Sequence, residues 1–79
     1  MEEIRKLSEL YGEEEGVIVE VGGGFGLKRR LACLGIRIGK KVRKVASEPF
    51  RGPIVVEVDG AQLALGRGVA EKILVKVGE

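Results

Sequence analysis

The sequence has no histidine and no tryptophan, and its 79 residues include one cysteine, one tyrosine and two phenylalanines. Transition metals in proteins are bound mainly by cysteine and histidine, so one chain with this inventory cannot assemble a soft or imidazole metal site. The side-chain hydroxyls are confined to Ser8, Ser47 and Tyr11, and no histidine is present to activate them. We therefore expect no bound metal, no cofactor, no catalytic residue and no enzyme activity.

Long apolar runs are also absent, since the longest have three to four residues, and a membrane-spanning helix needs roughly 20. The N-terminus lacks the basic segment and continuous apolar run of a signal peptide. The single cysteine, Cys33, cannot form a disulfide within one chain, and its place beside Leu34 predicts a small buried hydrophobe. These features predict a cytoplasmic protein without a membrane span. The length predicts one domain over residues 1–79.

Aromatic residues are scarce, whereas glycine is abundant, with 13 in the chain. The run at 22–28 looks like a phosphate-binding loop, but Leu27 separates Gly26 from Lys28, so the Walker pattern fails. The dinucleotide-binding pattern fails as well, because it would need glycine in place of Leu27. We interpret the run as a flexible connection between a strand and a helix.

Three five-residue segments, 17–21, 54–58 and 73–77, share one pattern. Their first, third and fifth positions are β-branched and the fourth is charged, which is typical of a half-buried strand with those three positions facing the core. The second position is also apolar although it would face outward, so a helix, a neighbouring strand or a partner should cover it. These outward apolar residues are Ile18, Val55 and Leu74.

The remaining β structure carries its own signals. An Asp-Gly pair at 59–60, between alternating runs, predicts a β-hairpin over residues 53–65. Val42 and Val45 are out of phase within the strand predicted at 40–48, which indicates a bulge or strong curvature.

A short helix is predicted between the first two strands, because Leu27, Leu31 and Leu34 recur at helical spacing and Gly35 follows as a C-terminal cap. We expect Leu31 to lie in the core. A second short helical turn is predicted at 67–72, before the last strand.

At the N-terminus, the spacing of Ile4, Leu7 and Leu10 predicts a marginal helix or turn. The order of strand, helix, strand, hairpin, turn and strand leaves no room for parallel crossovers. The sequence therefore predicts a mainly β fold. It is a small five-stranded antiparallel barrel with one short helix between the first two strands and a short helical turn before the last.

The net charge of +2 conceals a strong asymmetry. Residues 1–16 contain six glutamates and two basic residues, whereas residues 28–51 contain nine lysines and arginines and one acid, Glu48. A basic segment of this kind supports an alternative function, a barrel that binds nucleic acid along its phosphates. We consider nucleic acid the weaker alternative, because the aromatic platforms that stack bases are missing.

The residues of these elements resemble the FeoA family over nearly the whole chain. The main match is the segment 28–39, whose Arg-Leu, Leu-Gly-Ile and final glycine are similar to the family's pattern, and further matches lie at 7–10, 52–54 and 64–66. Ile38 departs from the family, which often has proline there. The resemblance implies that the barrel is of the five-stranded SH3-like type.

The resemblance also implies a function. FeoA proteins are non-enzymatic accessory or regulatory proteins of ferrous iron uptake that bind the cytoplasmic part of FeoB, a large membrane transporter with a GTPase domain. A third interpretation of the basic segment fits this resemblance: its charge would steer docking either to the inner face of the membrane or to an acidic face of the GTPase domain. The same module ends iron-dependent repressors, but we expect no room here for a DNA-binding domain.

We predict that the partner-binding surface is formed by the helix and its flanking loop, where family motif and positive charge coincide. Leu27 and Leu34 would be apolar anchors, and the steering charges would be Lys28, Arg30 and Arg37. Exposed strand edges and outward apolar residues also make homo-oligomerisation an expectation.

Overall fold

The computed structural model describes residues 2–47 and 52–78, and in this part of the chain six strands form one antiparallel sheet. The strands are β1 (Glu3–Lys6), β2 (Glu15–Val21), β3 (Lys41–Ser47), β4 (Ile54–Val58), β5 (Ala61–Leu65) and β6 (Ile73–Val77). Two helices, α1 (Phe25–Cys33) and α2 (Arg67–Ala70), and a 3-10 turn at Leu7–Glu9 connect them. The strand order is β1-β6-β2-β3-β4-β5. The predicted mainly β fold with two short helical elements is confirmed.

The sixth strand is β1, which occupies a segment predicted as a marginal helix or turn. Residues 3–6 pair antiparallel with β6, and Arg5 forms two hydrogen bonds with the Glu14 carboxylate, at 2.8 and 2.7 Å. The prediction is correct only for the turn at Leu7–Glu9, after which Leu10 is buried together with Leu7. Residues 3–6 form a strand and not a helix because pairing with β6 gives their backbone N–H and C=O groups hydrogen-bond partners. A single helical turn would leave these groups to solvent.

The alternation predicted for β4 and β6 is confirmed. The first, third and fifth residues of both strands are buried, and they form much of the core. The second residues are half-buried by neighbours on the outer face: Val55 lies in register between Ala46 and Ala64, and Leu74 lies between strands β1 and β2. Neighbouring strands therefore cover part of these two side chains.

For β2 the predicted phase is wrong before the bulge and correct after it, at Val21. Ile18, expected to face outward, is fully buried opposite Val75, whereas Val17 pairs with Lys76 on the other face. The register then shifts, so that Val19 is an extra residue and Val21 returns to the core side opposite Ile73. A β-bulge lets two apolar residues three positions apart face the same side, and the simple period of two does not anticipate it.

The second residue of β2, Gly16, is a glycine for a steric reason. A Cβ atom added at Gly16 would lie 2.5 Å from the carbonyl oxygen of Lys76 and 2.6 Å from Cγ1 of Val75. Any side chain would therefore force β2 away from β6, so this close approach requires glycine.

The bulge predicted in β3 is confirmed, because Lys44 pairs with Val56 and Ala46 with Val55, which leaves Val45 as the extra residue. The last residue of the strand predicted at 40–48, Glu48, lies outside the described residues. The predicted β4–β5 hairpin is also confirmed, with its two central residues at positive φ as a type I′ turn requires.

Helix α1 places Leu31 in the core as predicted and ends at Cys33. Gly35 then adopts φ +93°, its N–H donates to the Ala32 carbonyl at 3.0 Å, and the Ile36 N–H donates to the Leu31 carbonyl at 2.9 Å. These are the hydrogen bonds of a Schellman motif, and they carry Ile36 into the core.

The prediction of a buried cysteine is wrong, since Cys33 is exposed. It follows Leu31 by two residues, which is about 200° around a helix, so it faces away from the core that Leu31 enters. Within the described residues, neither helix combines the length and the apolar composition needed to cross a membrane.

Candidate protein-docking groove

A concave surface lies beside α1, where the chain leaves the helix and returns to β3. The groove has a volume of about 220 Å³ and a mainly apolar lining with two basic residues. Its lining residues are Val21, Lys28, Ala32, Ile36, Arg37 and Ile38. We call this surface the α1 groove.

Each apolar wall of the α1 groove follows from the fold. Val21 is the last residue of β2, and Ala32 lies one helical turn after Lys28 on α1. The Schellman motif buries Ile36, and Ile38 lies two residues later in the turn before β3, with 68% of its surface exposed. An exposed β-branched side chain beside an apolar groove is available for contact with a partner.

Positive charge in the basic segment divides into two groups. In one group, Lys40 approaches Asp59 at 2.9 Å, Lys41 approaches Glu15 at 3.9 Å, and Arg43 Nε donates to Glu57 at 3.1 Å. Hydrogen bonding to the Glu57 carboxylate raises the pKa of Arg43. A second groove of about 260 Å³ has charges of both signs in its lining, from Lys41 and Arg43 and from the carboxylates of Glu15, Glu57 and Asp59. Because the charges compensate one another, this second surface has little net attraction for an anionic partner.

The other group lies on α1 and the loop after it. Lys28, Arg30 and Arg37 are exposed, and among the ion pairs of the described residues none involves them. Arg29 stacks over the Phe25 ring, with its guanidinium carbon 5.3 Å from the ring centroid. Of the two remaining basic residues, Lys44 is buried and Arg51 lies outside the described residues. Within the basic segment, the exposed charges that form no ion pair with the described residues therefore lie on α1 and the loop after it.

The structure brings together part of the site predicted from sequence. Lys28 and Arg37 both line the groove. Arg30 and Leu34 are exposed but lie outside it, and Leu27 is partly buried against the core. The role of these residues in binding stays a prediction.

Sequence reasoning missed the apolar side of the groove, which consists of Val21, Ala32, Ile36 and Ile38. The available signal was Ile38, a large apolar residue at a position where the resemblance leads one to expect proline. Its place in the same groove as residues of α1 could not be predicted, because it depends on the turn that follows Gly35.

Among the described residues no cluster of three or more potential metal-ligating side chains occurs.

Comparison with known proteins places these features in a family. A family model described as the FeoA domain matches residues 5–77. A protein of Methanocaldococcus jannaschii named as an Fe(2+) transport protein A is 35% identical over 66 residues, which cover 84% of this chain and 78% of that relative.

Solved structures share the fold. The crystal structure of an iron uptake regulatory protein, FeoA, has a TM-score of 0.87 and 30% identity. The match covers 95% of this chain and 100% of the FeoA chain. The solution structure of FeoA from Chlorobium tepidum also has a TM-score of 0.87, with 32% identity and coverage of 95% and 71%. A manganese-dependent transcriptional repressor matches at a TM-score of 0.87 and 25% identity, covering 99% of this chain and 44% of the repressor. The predicted SH3-like architecture is confirmed, with six strands instead of five.

Proposed function

Because the chain belongs to the FeoA domain family, we propose that it is a non-enzymatic accessory protein of ferrous iron uptake. In this proposal it acts in the cytoplasm, at the inner face of the membrane, and binds the cytoplasmic part of a FeoB-like transporter. The names of its relatives, which refer to Fe(2+) transport and iron uptake, support the pathway.

The observation that carries the proposed mode of action is the α1 groove. It has an apolar floor, an exposed apolar residue, Ile38, and two basic residues without carboxylate partners in the described part of the chain, Lys28 and Arg37. An apolar centre with a charged rim is the usual composition of a protein interface. The rim charges would steer a partner of opposite charge and fix its orientation.

A binding measurement tests this function. The chain is immobilised, and the purified cytoplasmic GTPase domain of the ferrous iron transporter from the same organism is passed over it. We expect saturable binding that weakens about tenfold or more in a double variant, Lys28→Glu with Ile38→Asp, because it removes both charge and apolar contact at one site. Lys76→Glu, on the outer face of β6, is the control for reversing the charge of one exposed lysine and should bind normally.

The wider surface predicted from sequence needs its own variant. Arg30→Glu with Leu34→Ala changes two exposed residues outside the groove. If this variant loses binding while the groove variant keeps it, the partner contacts the other side of α1 and the assignment to the groove is wrong. All variants must retain the thermal unfolding transition of the parent chain.

A cellular measurement tests the pathway. Deletion of the gene is expected to alter the initial rate of ferrous iron uptake under iron limitation, and the unaltered gene should restore it. Unchanged uptake in the deletion strain contradicts the proposed function, whatever the binding result.

Nucleic acid binding is the second candidate, favoured by the basic surface of α1 and by the shared fold with a transcriptional repressor. The ion pairs of Lys40, Lys41 and Arg43 weaken it, because they compensate charge that would otherwise track phosphates. A gel-shift measurement with generic RNA and DNA at low salt distinguishes the two candidates. No shift under these conditions removes the nucleic acid candidate.

A further inference from the structure

We propose that the α1 groove recognises an acidic amphipathic segment of its protein partner. One apolar side chain of that segment enters the groove, and carboxylates beside it contact Lys28 and Arg37. This inference rests on the proposed function, because it specifies the chemistry that the groove selects in the partner.

The apolar part of the inference follows from the size and lining of the groove. Its volume of about 220 Å³ is smaller than the roughly 300–1,000 Å³ typical of small-molecule sites. Val21, Ala32 and Ile36 supply apolar surface, and Ile38 extends it into solvent. The groove therefore suits an inserted side chain of a peptide better than a whole cofactor.

The charged part follows from the two basic residues that line the same groove. Lys28 comes from α1 and Arg37 from the loop after it, so the charges approach an occupant from two different elements. Neither forms an ion pair within residues 2–47 and 52–78, unlike Lys40 and Lys41. Two basic residues beside an apolar groove favour an occupant with both carboxylates and an apolar group, and they repel a basic one.

Backbone hydrogen bonds hold the loop that carries Arg37 and Ile38. Three backbone N–H groups donate to carbonyl oxygens: Ile36 to Leu31 at 2.9 Å, Gly39 to Ile18 at 2.8 Å, and Lys40 to Arg37 at 3.1 Å. A preorganised loop loses little conformational entropy on binding, so a short segment suffices as the ligand.

A protein segment fits this arrangement better than a membrane surface or a nucleic acid. The phosphate groups of a nucleic acid would pair with Lys28 and Arg37 but offer no apolar side chain to the groove. A membrane surface is flat and therefore does not fill a concave groove. The exposed Phe25 ring, the nearest aromatic platform on α1, is covered on one face by Arg29. Only the other face of this ring is left for base stacking, whereas proteins that bind single strands stack successive bases on several aromatic side chains.

Selection from a random peptide library tests the inference without a known ligand. The immobilised chain selects peptides displayed on phage, and the Ile38→Asp variant is used for counter-selection. We expect enrichment of peptides with a large apolar residue flanked by aspartate or glutamate. Enrichment of basic or uncharged peptides overturns the inference, as does the absence of enrichment or equal retention on Ile38→Asp.

Enriched peptides are then synthesised for solution measurements. Fluorescence anisotropy should show binding that weakens about tenfold at low salt when the glutamates are replaced by glutamine, since each exposed ion pair contributes a few-fold. Lys28→Glu with Arg37→Glu should abolish this dependence on the glutamates, and Lys76→Glu should keep it. Amide chemical shifts must change at Ala32, Ile36 and Ile38, and changes confined to other surfaces contradict the site.

Vesicles with anionic lipid and a generic single-stranded RNA serve as competing probes. Displacement of the bound peptide by either at low concentration would assign the groove to phosphate and overturn the inference. The two proposals also fail separately. Transporter binding through the groove without an acidic consensus refutes only the inference, and acidic peptides in the groove without transporter binding refute only the proposed function.

Discussion

Lys44 lies in β3 with its side chain turned into the barrel, where it is 9% exposed. Its ammonium donates a hydrogen bond to the carbonyl oxygen of Leu10 at 2.7 Å. Burial lowers the pKa of Lys44, and the positive charge of Arg67 lowers it further. Lys44 follows Val42 by two positions, so the alternation of β3 places both side chains on the buried face, before the bulge at Val45. A charged residue thus occupies a position suited to an apolar one.

Because of this burial, the free energy of unfolding should change with pH in the alkaline range. The pKa of Lys44 is lower in the folded chain than in the unfolded one, so the unfolded chain binds more protons between the two pKa values. The free energy of unfolding should therefore rise with pH as it passes from the folded pKa towards the ordinary lysine value of about 10.4. Lys44→Met removes this contribution, so urea unfolding should show the parent chain gaining stability relative to the variant as pH increases.

Lys76→Met, which removes an exposed lysine from the same sheet, is the control for the change in net charge. A parent-minus-variant difference for Lys44→Met that stays constant with pH, or matches that of the control, contradicts this account.

Two glycines of the α1 region have opposite roles. Gly35 holds φ +93° in the Schellman motif, and an added Cβ would also lie 3.4 Å from Cγ1 of Val58. Gly35→Ala should reduce the free energy of unfolding by about 1–2 kcal/mol, the cost of a left-handed L-residue. Gly26 lies inside α1 with open space around it, so Gly26→Ala should stabilise by about 0.5–1 kcal/mol. Denaturant unfolding measures both, and equal effects would be inconsistent with the assigned cap.

Among the elements, β2 shows how a bulge changes which residues form the core. Ile18 and Val21 both face inward although they are three residues apart, and Val17 faces outward. The same strand pairs with β3 on its other side, so the bulge in β2 and the one in β3 both bend the part of the sheet that surrounds the core.

Core substitutions test this phase. Ile18→Ala should reduce the free energy of unfolding by about 2–5 kcal/mol, and Ile18→Val by about 0.5–1.5 kcal/mol in case the larger change prevents folding. Val17→Ala should cost about 1 kcal/mol or less, because Val17 is only half-buried. Urea unfolding distinguishes the two positions. A larger effect at Val17 than at Ile18 would restore the phase expected from the sequence pattern.

On the scale of the whole molecule, the sheet ends at β1 on one side and at β5 on the other, each with a single strand neighbour in the described residues. β5 carries no charged side chain, and its central residue Leu63 is half-buried. Uncharged strand edges are favourable sites for pairing with another chain. The expectation of homo-oligomerisation therefore remains, and β5 is the edge to test.

Sedimentation measurements test self-association through β5. We expect the average mass of the parent chain to increase with concentration, and Gln62→Lys to suppress this increase because charge on an edge strand opposes pairing. Ala46→Lys adds the same charge to an exposed position of the central strand β3 and should leave association unchanged. A parent chain that stays monomeric throughout contradicts the prediction.

Sequence patterns alone determined those features that depend on neighbouring residues. The alternation of β4 and β6, the type I′ hairpin between β4 and β5, and the glycine cap at Gly35 were predictable, because local backbone preferences and the period of two set them. The family resemblance is also a property of the sequence, and it supplies the proposed function.

Tertiary structure decided the features that depend on pairing between distant segments. Strand β1 forms because β6 offers a partner, Ile18 is buried because β2 shifts register against β6, and Cys33 is exposed because Leu31 sets the orientation of α1. The α1 groove has the same origin. Lys28 and Arg37 are nine positions apart, and only the turn after Gly35 brings them to one surface with Ile38. Register and packing minimise the free energy of the whole chain, so no local pattern determines them.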